Sequence, residues 1–168
     1  MVNDSLTEVD TEDNVIGPMS KVDGHLHNQE NPHRAFSLFL FNSKNELLFQ
    51  QRSQYKITFP GLWTNTCCSH PSHTEAELDS NAQNGYLGAR RAAIRRTDFE
   101  MGIKDLEIGD LKCGSRILYY APACETFAEY ELDYIIFAKK DIDLSFEINQ
   151  KEVSASEWVS RKDLLDFM

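Results

Sequence analysis

The segment Arg34-Ala35-Phe36-Ser37-Leu38-Phe39-Leu40-Phe41 is almost unbroken in apolar character. It runs straight into Asn42-Ser43-Lys44-Asn45 and then Glu46-Leu47-Leu48-Phe49-Gln50-Gln51-Arg52. A run this apolar and this short is a buried strand, the polar quartet is a tight turn, and the next run is a second strand. At 168 residues the chain is long enough to bury one core around that strand and too short for two comfortable ones.

From Tyr86 to Met101, Leu87, Ala92, Ile94 and Phe99 alternate with Arg90, Arg91, Arg95 and Arg96, and Gly102 follows. This predicts an amphipathic helix ended by a glycine, with basic side chains able to face an anion. Residues 112–121, 131–139 and 155–159 read as strands, and 161–168 as the start of a helix. Strands, a central helix and more strands indicate a single mixed α/β (α+β) domain. Residues 1–20, acidic and broken by Gly17 and Pro18, are expected to form a mobile arm, leaving 21–168 as the domain.

Seventeen basic residues against 27 acidic ones give a net charge of -10, which disfavours nonspecific attraction to nucleic acid or anionic lipid. The mean hydropathy of -0.46 and the lack of any apolar run near the ~20 residues of a membrane span argue against a membrane protein. The acidic start is the reverse of a signal or transit peptide. The default compartment is the cytoplasm; the peroxisome is the alternative, although Asp166-Phe167-Met168 is not a peroxisomal tripeptide. Cys67, Cys68, Cys113 and Cys124 show no CxxC spacing and read as reduced thiols.

Three constellations could carry chemistry. His25, His27, His33 and His70 with Glu129 and Glu131 offer imidazole and carboxylate donors suited to a divalent metal. The two glutamates, two apart on a strand, point to one face. On the residues alone, scattered surface histidines and a solvated strand end explain this set better, because the donors are distant in sequence and match no compact metal motif. Cys68 lies two residues from His70 in a loop flanked by Pro60-Gly61 and Pro71; a nucleophile or proton carrier and a small buried apolar residue explain it equally well. Lys21, Arg52, Lys56, Arg95 and Arg96 are cations that could grip phosphate oxygens or form a solvated face. Glu100, one turn after Arg96, could pair with it or hold Mg²⁺ against a bound phosphate.

The stretches Lys21-Val22-Asp23-Gly24-His25-Leu26, His33-Arg34-Ala35-Phe36-Ser37, Gln50-Gln51-Arg52-Ser53 and Lys56-Ile57-Thr58-Phe59-Pro60 stand in this order. They are joined by Trp63-Thr64-Asn65-Thr66-Cys67-Cys68-Ser69-His70-Pro71 and Glu129-Tyr130-Glu131-Leu132-Asp133-Tyr134. Together, from about Lys21 to Leu165, they resemble the type I isopentenyl-diphosphate isomerases, the Trp63–Pro71 stretch most specifically.

The resemblance implies a Nudix-like mixed sheet sandwiched by helices. It also implies interconversion of isopentenyl and dimethylallyl diphosphate in isoprenoid precursor biosynthesis, by a monomer whose partner is the diphosphate substrate. Carried over residue by residue, it implies catalysis by Cys68, Glu131 and Tyr119. Substrate contacts fall to Lys21, Arg52, Lys56, Ser69 and Arg96, and metal ligation to His25, His33, His70, Glu129 and Glu131. Glu100 would hold the Mg²⁺ that accompanies the substrate diphosphate; the His/Glu site would take a further divalent ion, Zn²⁺, Mn²⁺ or Mg²⁺. His27 and Cys67 match no functional position.

Tyr130 stands where a histidine is common in eukaryotic members, and Arg96 and Phe99 stand where the Nudix helix has glutamates. The family's C-terminal segment, with a tryptophan, is expected to be missing. Two alternatives follow: a weak or inactive paralogue that binds isoprenoid diphosphates, and a Nudix hydrolase of nucleoside diphosphate derivatives.

Overall fold

The computed structural model describes residues 5–143 and 147–167. Asp4 of the acidic start and Met168 of the expected final helix lie outside them. Among the described residues, nine strands form one mixed sheet: β1 (Ser5–Val9), β2 (Val15–Ser20), β3 (His33–Phe41), β4 (Leu47–Arg52), β5 (Trp63–Thr64), β6 (Cys67–Ser69), β7 (Leu111–Pro122), β8 (Ala128–Lys139) and β9 (Val153–Val159). The helices are α1 (Leu87–Met101) and the short α2 (Leu164–Phe167), with three single 3-10 turns.

The apolar run is β3, and it is the hub. It pairs in parallel with β8 over its whole length, antiparallel with β6 at Phe36–Leu38, and touches β1 and β4 at its two ends. Strand alternation then separates two faces. Phe36, Leu38 and Leu40 of β3, Tyr134, Ile136 and Ala138 of β8 and Cys67 of β6 form the core with Ala89, Ala92, Ala93 and Met101 of α1. Each fully buried large side chain contributes ~1.5–3 kcal/mol. The opposite face carries His33, Ser37, Cys68, Glu131 and Asp133, which is why a strand so apolar in sequence can still present polar chemistry.

The helix appears where the sequence places it, but its buried face differs from the apolar one expected. Gly88, Ala89, Ala92, Ala93, Arg96, Thr97, Glu100 and Met101 are buried, and Phe99 is 53% exposed, lying under the Arg96 guanidinium. Small residues let α1 sit close to its neighbours: a Cβ on Gly88 would lie 2.2 Å from the Glu77 carbonyl oxygen. Gly102 ends the helix at φ +70°, the left-handed conformation that favours glycine.

Residues 5–20 are a correction to the expected arm. They form a β1–β2 hairpin joined to the sheet through Glu8 opposite His33, with Leu6 and Val9 buried. The hairpin turn is pinned by Asp13. Its carboxylate accepts from Arg34 Nε at 2.7 Å, from Arg116 NH1 at 2.7 Å and from the Tyr134 hydroxyl. These three side chains come from three different strands, so the acidic segment is anchored by charge where it lacks apolar bulk.

Candidate active site and metal centre

Sheet register builds the site. His33 of β3 stands opposite Glu131 of β8, which stands opposite Tyr119 of β7, so three side chains form one row. Ser37 of β3 stands opposite Cys68 of β6. Glu129, Glu131 and Asp133, at alternate positions of β8, share a face. His25 arrives from the 3-10 turn Asp23–His25, and His70 follows β6 directly.

The three imidazoles of His25, His33 and His70 have ring centroids 4.9–5.1 Å apart. One donor atom from each, with one carboxylate oxygen of Glu131, lie within 4.8 Å of one another. Glu131 Oε1 accepts from His70 Nε2 at 2.9 Å and lies 3.3 Å from His33 Nε2; Glu131 Oε2 accepts from the Tyr119 hydroxyl at 2.5 Å. The contact from His33 is not a hydrogen bond, and both ring nitrogens of this fully buried histidine are without hydrogen-bond partners. His25 donates Nδ1–H to the Lys21 carbonyl at 2.7 Å, leaving Nε2 with a free lone pair.

Buried, unpartnered imidazole nitrogens converging on a carboxylate fit a divalent metal, and a backbone-fixed tautomer is the usual preparation of a ligating histidine. Burial, helped by His33, pushes His25 down to about 4, and burial holds His70 well below its ordinary value. Burial alone would raise Glu131, but the hydrogen bond from His70 and the close approach of His33 outweigh it and hold the carboxyl well below its ordinary range. The neutral imidazoles of His25 and His70 beside an ionised carboxylate are the protonation state a metal takes up.

A cavity of about 220 Å³ opens beside this cluster, lined by His25, Cys68, Ser69, His70, Glu129 and Glu131 on one side and by Lys21, Arg52 and Lys56 on the other. Arg96 lies in a small adjoining cavity with Lys21, Ser69 and His70. A third cavity, shared through Arg52, Cys68 and Glu129, is lined by Tyr119, Phe59, Leu62, Trp63 and Asp133. The expected catalytic, substrate and His/Glu ligand residues thus converge on one region. Burial, then Glu131, Asp133 and Glu129, push the Cys68 thiol well above its ordinary value.

Two expected ligands stand outside the four-group cluster. Glu129 is raised by burial and by Glu131, and its Oε2 lies 3.1 Å from the Tyr119 hydroxyl, whose hydrogen goes to Glu131. Glu100, fully buried, accepts from Arg96 NH2 at 2.7 Å. Arg52 directs Nε and NH2 at the Thr58 and Phe59 carbonyls, holding the positive-φ turn at Phe59 while lining the cavity. Arg90, Arg91 and Arg95 are taken up by protein groups: Arg90 and Arg91 reach carbonyls, and Arg95 grips the Glu77 carboxylate and the His70 carbonyl. His27 bonds Tyr120 and the Cys124 carbonyl, away from the cluster.

Three side chains at the site carried no sequence signal of their own. Ser37 and Asp133 sit inside runs that read as apolar strands, and Glu152 lies in a polar loop before β9. Only the register opposite Cys68 and the alternation from Glu131 could have pointed to the first two.

The NUDIX domain family matches residues 31–168. An isopentenyl-diphosphate delta-isomerase of Gibberella zeae is 45% identical over 161 residues, covering 93% of this chain and 63% of that protein. Isopentenyl-diphosphate Delta-isomerase I of Clarkia breweri is 45% identical over 175 residues, 100% of this chain and 59% of that protein. Isopentenyl-diphosphate Delta-isomerase I of Camptotheca acuminata is 43% identical over 174 residues, 100% of this chain and 72% of that protein. The chain therefore spans roughly three fifths to three quarters of the length of these relatives. Among solved structures, DR0079 from Deinococcus radiodurans superposes with a TM-score of 0.61 at 19% identity over 97% of this chain and 87% of that one. A MutT protein from Methanosarcina mazei does so with 0.54 at 16% identity over 83% and 85%. The structural likenesses show the Nudix fold, and the sequence relatives show the narrower group: the chain belongs to the Nudix family and, within it, to the isopentenyl-diphosphate isomerases.

Proposed function

We propose that the chain interconverts isopentenyl and dimethylallyl diphosphate, using Cys68 and Glu131 as the proton-transferring pair. The observation that carries the proposal is a single cavity that joins this pair to Lys21, Arg52 and Lys56. An unactivated alkene is a weak base, so moving its double bond needs a donor and an acceptor held against the carbon chain where water is scarce. The cations, with Arg96 and Ser69, bind the diphosphate and so place the hydrocarbon between thiol and carboxylate.

In the isopentenyl to dimethylallyl direction, Glu131 gives a proton to the terminal carbon, with the Tyr119 hydroxyl steadying the carboxylate left behind. Cys68 as thiolate takes a proton from the carbon two positions away, and the electron pair of that C–H bond becomes the new double bond. In the chain by itself, burial and the neighbouring carboxylates favour the Cys68 thiol, and the histidines favour the Glu131 carboxylate. That is the state the forward step leaves, and one proton passed from Cys68 to Glu131 resets it.

His25, His33, His70 and Glu131 would hold a divalent Zn²⁺, Mn²⁺ or Mg²⁺, with Glu129 as a further donor, and the ion would supply positive charge that tunes the acidity of Glu131. Glu100, paired with Arg96 in the unliganded chain, would hold the Mg²⁺ that travels with the diphosphate once that pair opens. A monomer in a reducing compartment such as the cytoplasm completes the reading, and the four unbridged cysteines fit the reducing compartment. No helix among the described residues is long and apolar enough to cross a membrane.

Incubation of metal-loaded protein with isopentenyl diphosphate and Mg²⁺ should yield an acid-labile allylic diphosphate, and Cys68→Ala and Glu131→Gln should each abolish it. Diphosphate binding with no product from the unaltered chain would select the inactive paralogue. Phosphate release from nucleoside diphosphate derivatives would select the hydrolase.

A further inference from the structure

The cation-lined cavity contains a carboxylate that works against an anionic ligand. Glu152 lines it together with Lys21, Arg52, Lys56 and Lys151. Its Oε2 is paired with Lys56 Nζ, and its Oε1 lies 3.6 Å from Arg96 NH2. Its main chain is fixed at both ends: Glu152 N–H donates to the Asn149 carbonyl at 2.8 Å, and Ser53 N–H donates to the Glu152 carbonyl at 3.0 Å. The carboxylate is therefore held beside the end of β4, next to Arg52, and is 20% exposed.

A phosphate that engages Lys56 or Arg96 competes with Glu152 for that cation, and for Arg96 also with Glu100 at 2.7 Å, because a cation shared between two anions is worth less to each and like charges repel at close range. A ligand with two phosphoryl groups can engage both cations at once and offset their loss from Glu152. A single phosphoryl group can replace only one of the two pairs and leaves Glu152 facing it.

We propose that Glu152 is a built-in counter-anion that sets a charge threshold for the cavity, excluding monophosphates and tempering the affinity for diphosphates so that product can leave. The proposal rests on the reading of this cavity as a diphosphate site. Glu152 has a second effect in the unliganded protein. Lys21 is pushed down first by burial and then by Arg96 and Lys56, while Glu152 and Glu100 act to keep it charged. The threshold and the maintenance of the cations are thus two consequences of one carboxylate.

The test is calorimetric titration of the full, metal-loaded chain and of Glu152→Gln and Glu152→Asp with inorganic pyrophosphate and with orthophosphate. The Gln variant should bind pyrophosphate about tenfold more tightly, and orthophosphate, silent with the unaltered chain, should become measurable. The Asp variant, which keeps the charge, should stay within about twofold of the unaltered chain. A purely structural carboxylate would act in the opposite sense, since its loss would let Lys56 and Arg96 splay. Equal or weaker pyrophosphate binding by the Gln variant overturns the proposal, as does an Asp variant that behaves like Gln. If neither anion binds the unaltered chain or any variant, the diphosphate reading of the cavity falls, and this inference with it.

Discussion

The Ser37 hydroxyl donates to Asp133 Oδ2 at 2.8 Å while its oxygen lies 3.7 Å from Cys68 Sγ. A hydroxyl has one hydrogen, so with that hydrogen on Asp133 the Cys68 thiol can donate only toward the Ser37 oxygen. Asp133 Oδ1 is buried and without a hydrogen-bond partner. The side chain proposed to carry the proton is thus oriented by a serine that is itself oriented by a carboxylate.

Ser37→Ala should lower kcat by about tenfold with KM little changed, because the thiol loses its orientation while the diphosphate contacts remain. Ser37→Thr, which keeps the hydroxyl, should recover most of the loss. Steady-state kinetics on the two variants checks both, and a KM effect without a kcat effect would contradict the assignment.

Burial first, then Glu131, raise the Asp133 carboxyl from its ordinary 3.8 to about 7. An acid whose folded pKa is raised destabilises the native state wherever the unfolded chain is ionised and the folded chain resists ionisation. The cost is absent below about pH 4, grows as pH rises, and is complete above about pH 7. In metal-stripped protein, Asp133→Asn should therefore raise stability by about 2 kcal/mol at pH 8 and by clearly less at pH 5. Urea unfolding at the two pH values measures the difference, and an equal gain at both would be evidence against it.

His33 is fully buried with neither ring nitrogen hydrogen-bonded, and the Glu131 carboxylate 3.3 Å from Nε2 is the contact that a bound cation would reinforce. Adding a tightly bound divalent ion at 100 times its dissociation constant should stabilise the chain by about 2.7 kcal/mol. His33→Gln should remove most of that gain and reduce metal content below one ion per chain. Elemental analysis and thermal unfolding with and without chelator report the two effects separately.

Asp13 joins Arg34, Arg116 and Tyr134 across the hairpin. Asp13→Ala leaves the buried Arg34 guanidinium without its counter-charge and should cost about 3 kcal/mol. Chemical denaturation checks the magnitude, and protease sensitivity within residues 5–20 checks that the hairpin is the part released.

The elements with a clear period were legible from sequence. The apolar run of β3, the turn after it, the helix to Met101 and the strands β7 to β9 all appear within a few residues of the expected bounds. The hairpin was not, because its two buried aliphatic residues, Leu6 and Val9, are outnumbered by acidic ones, and its anchor depends on partners 21, 103 and 121 residues away. The face of α1 was misjudged for a related reason. Its buried side includes Arg96 and Glu100, which neutralise each other at 2.7 Å and so can be buried as a pair. The histidines and Glu131 were recognisable by resemblance, whereas the residues that orient or oppose them, Ser37, Asp133 and Glu152, acquire meaning only from strand register and pairing.

Proton movement by Cys68 and Glu131 on an isoprenoid diphosphate would leave an isotopic mark in deuterated water. NMR of the metal-loaded chain with isopentenyl diphosphate and Mg²⁺ in deuterated water tests it most directly. Dimethylallyl diphosphate should form with deuterium in the methyl group made from the terminal carbon, and no such product should come from Cys68→Ala. An unchanged spectrum from the unaltered chain, with the diphosphate demonstrably bound, would contradict it.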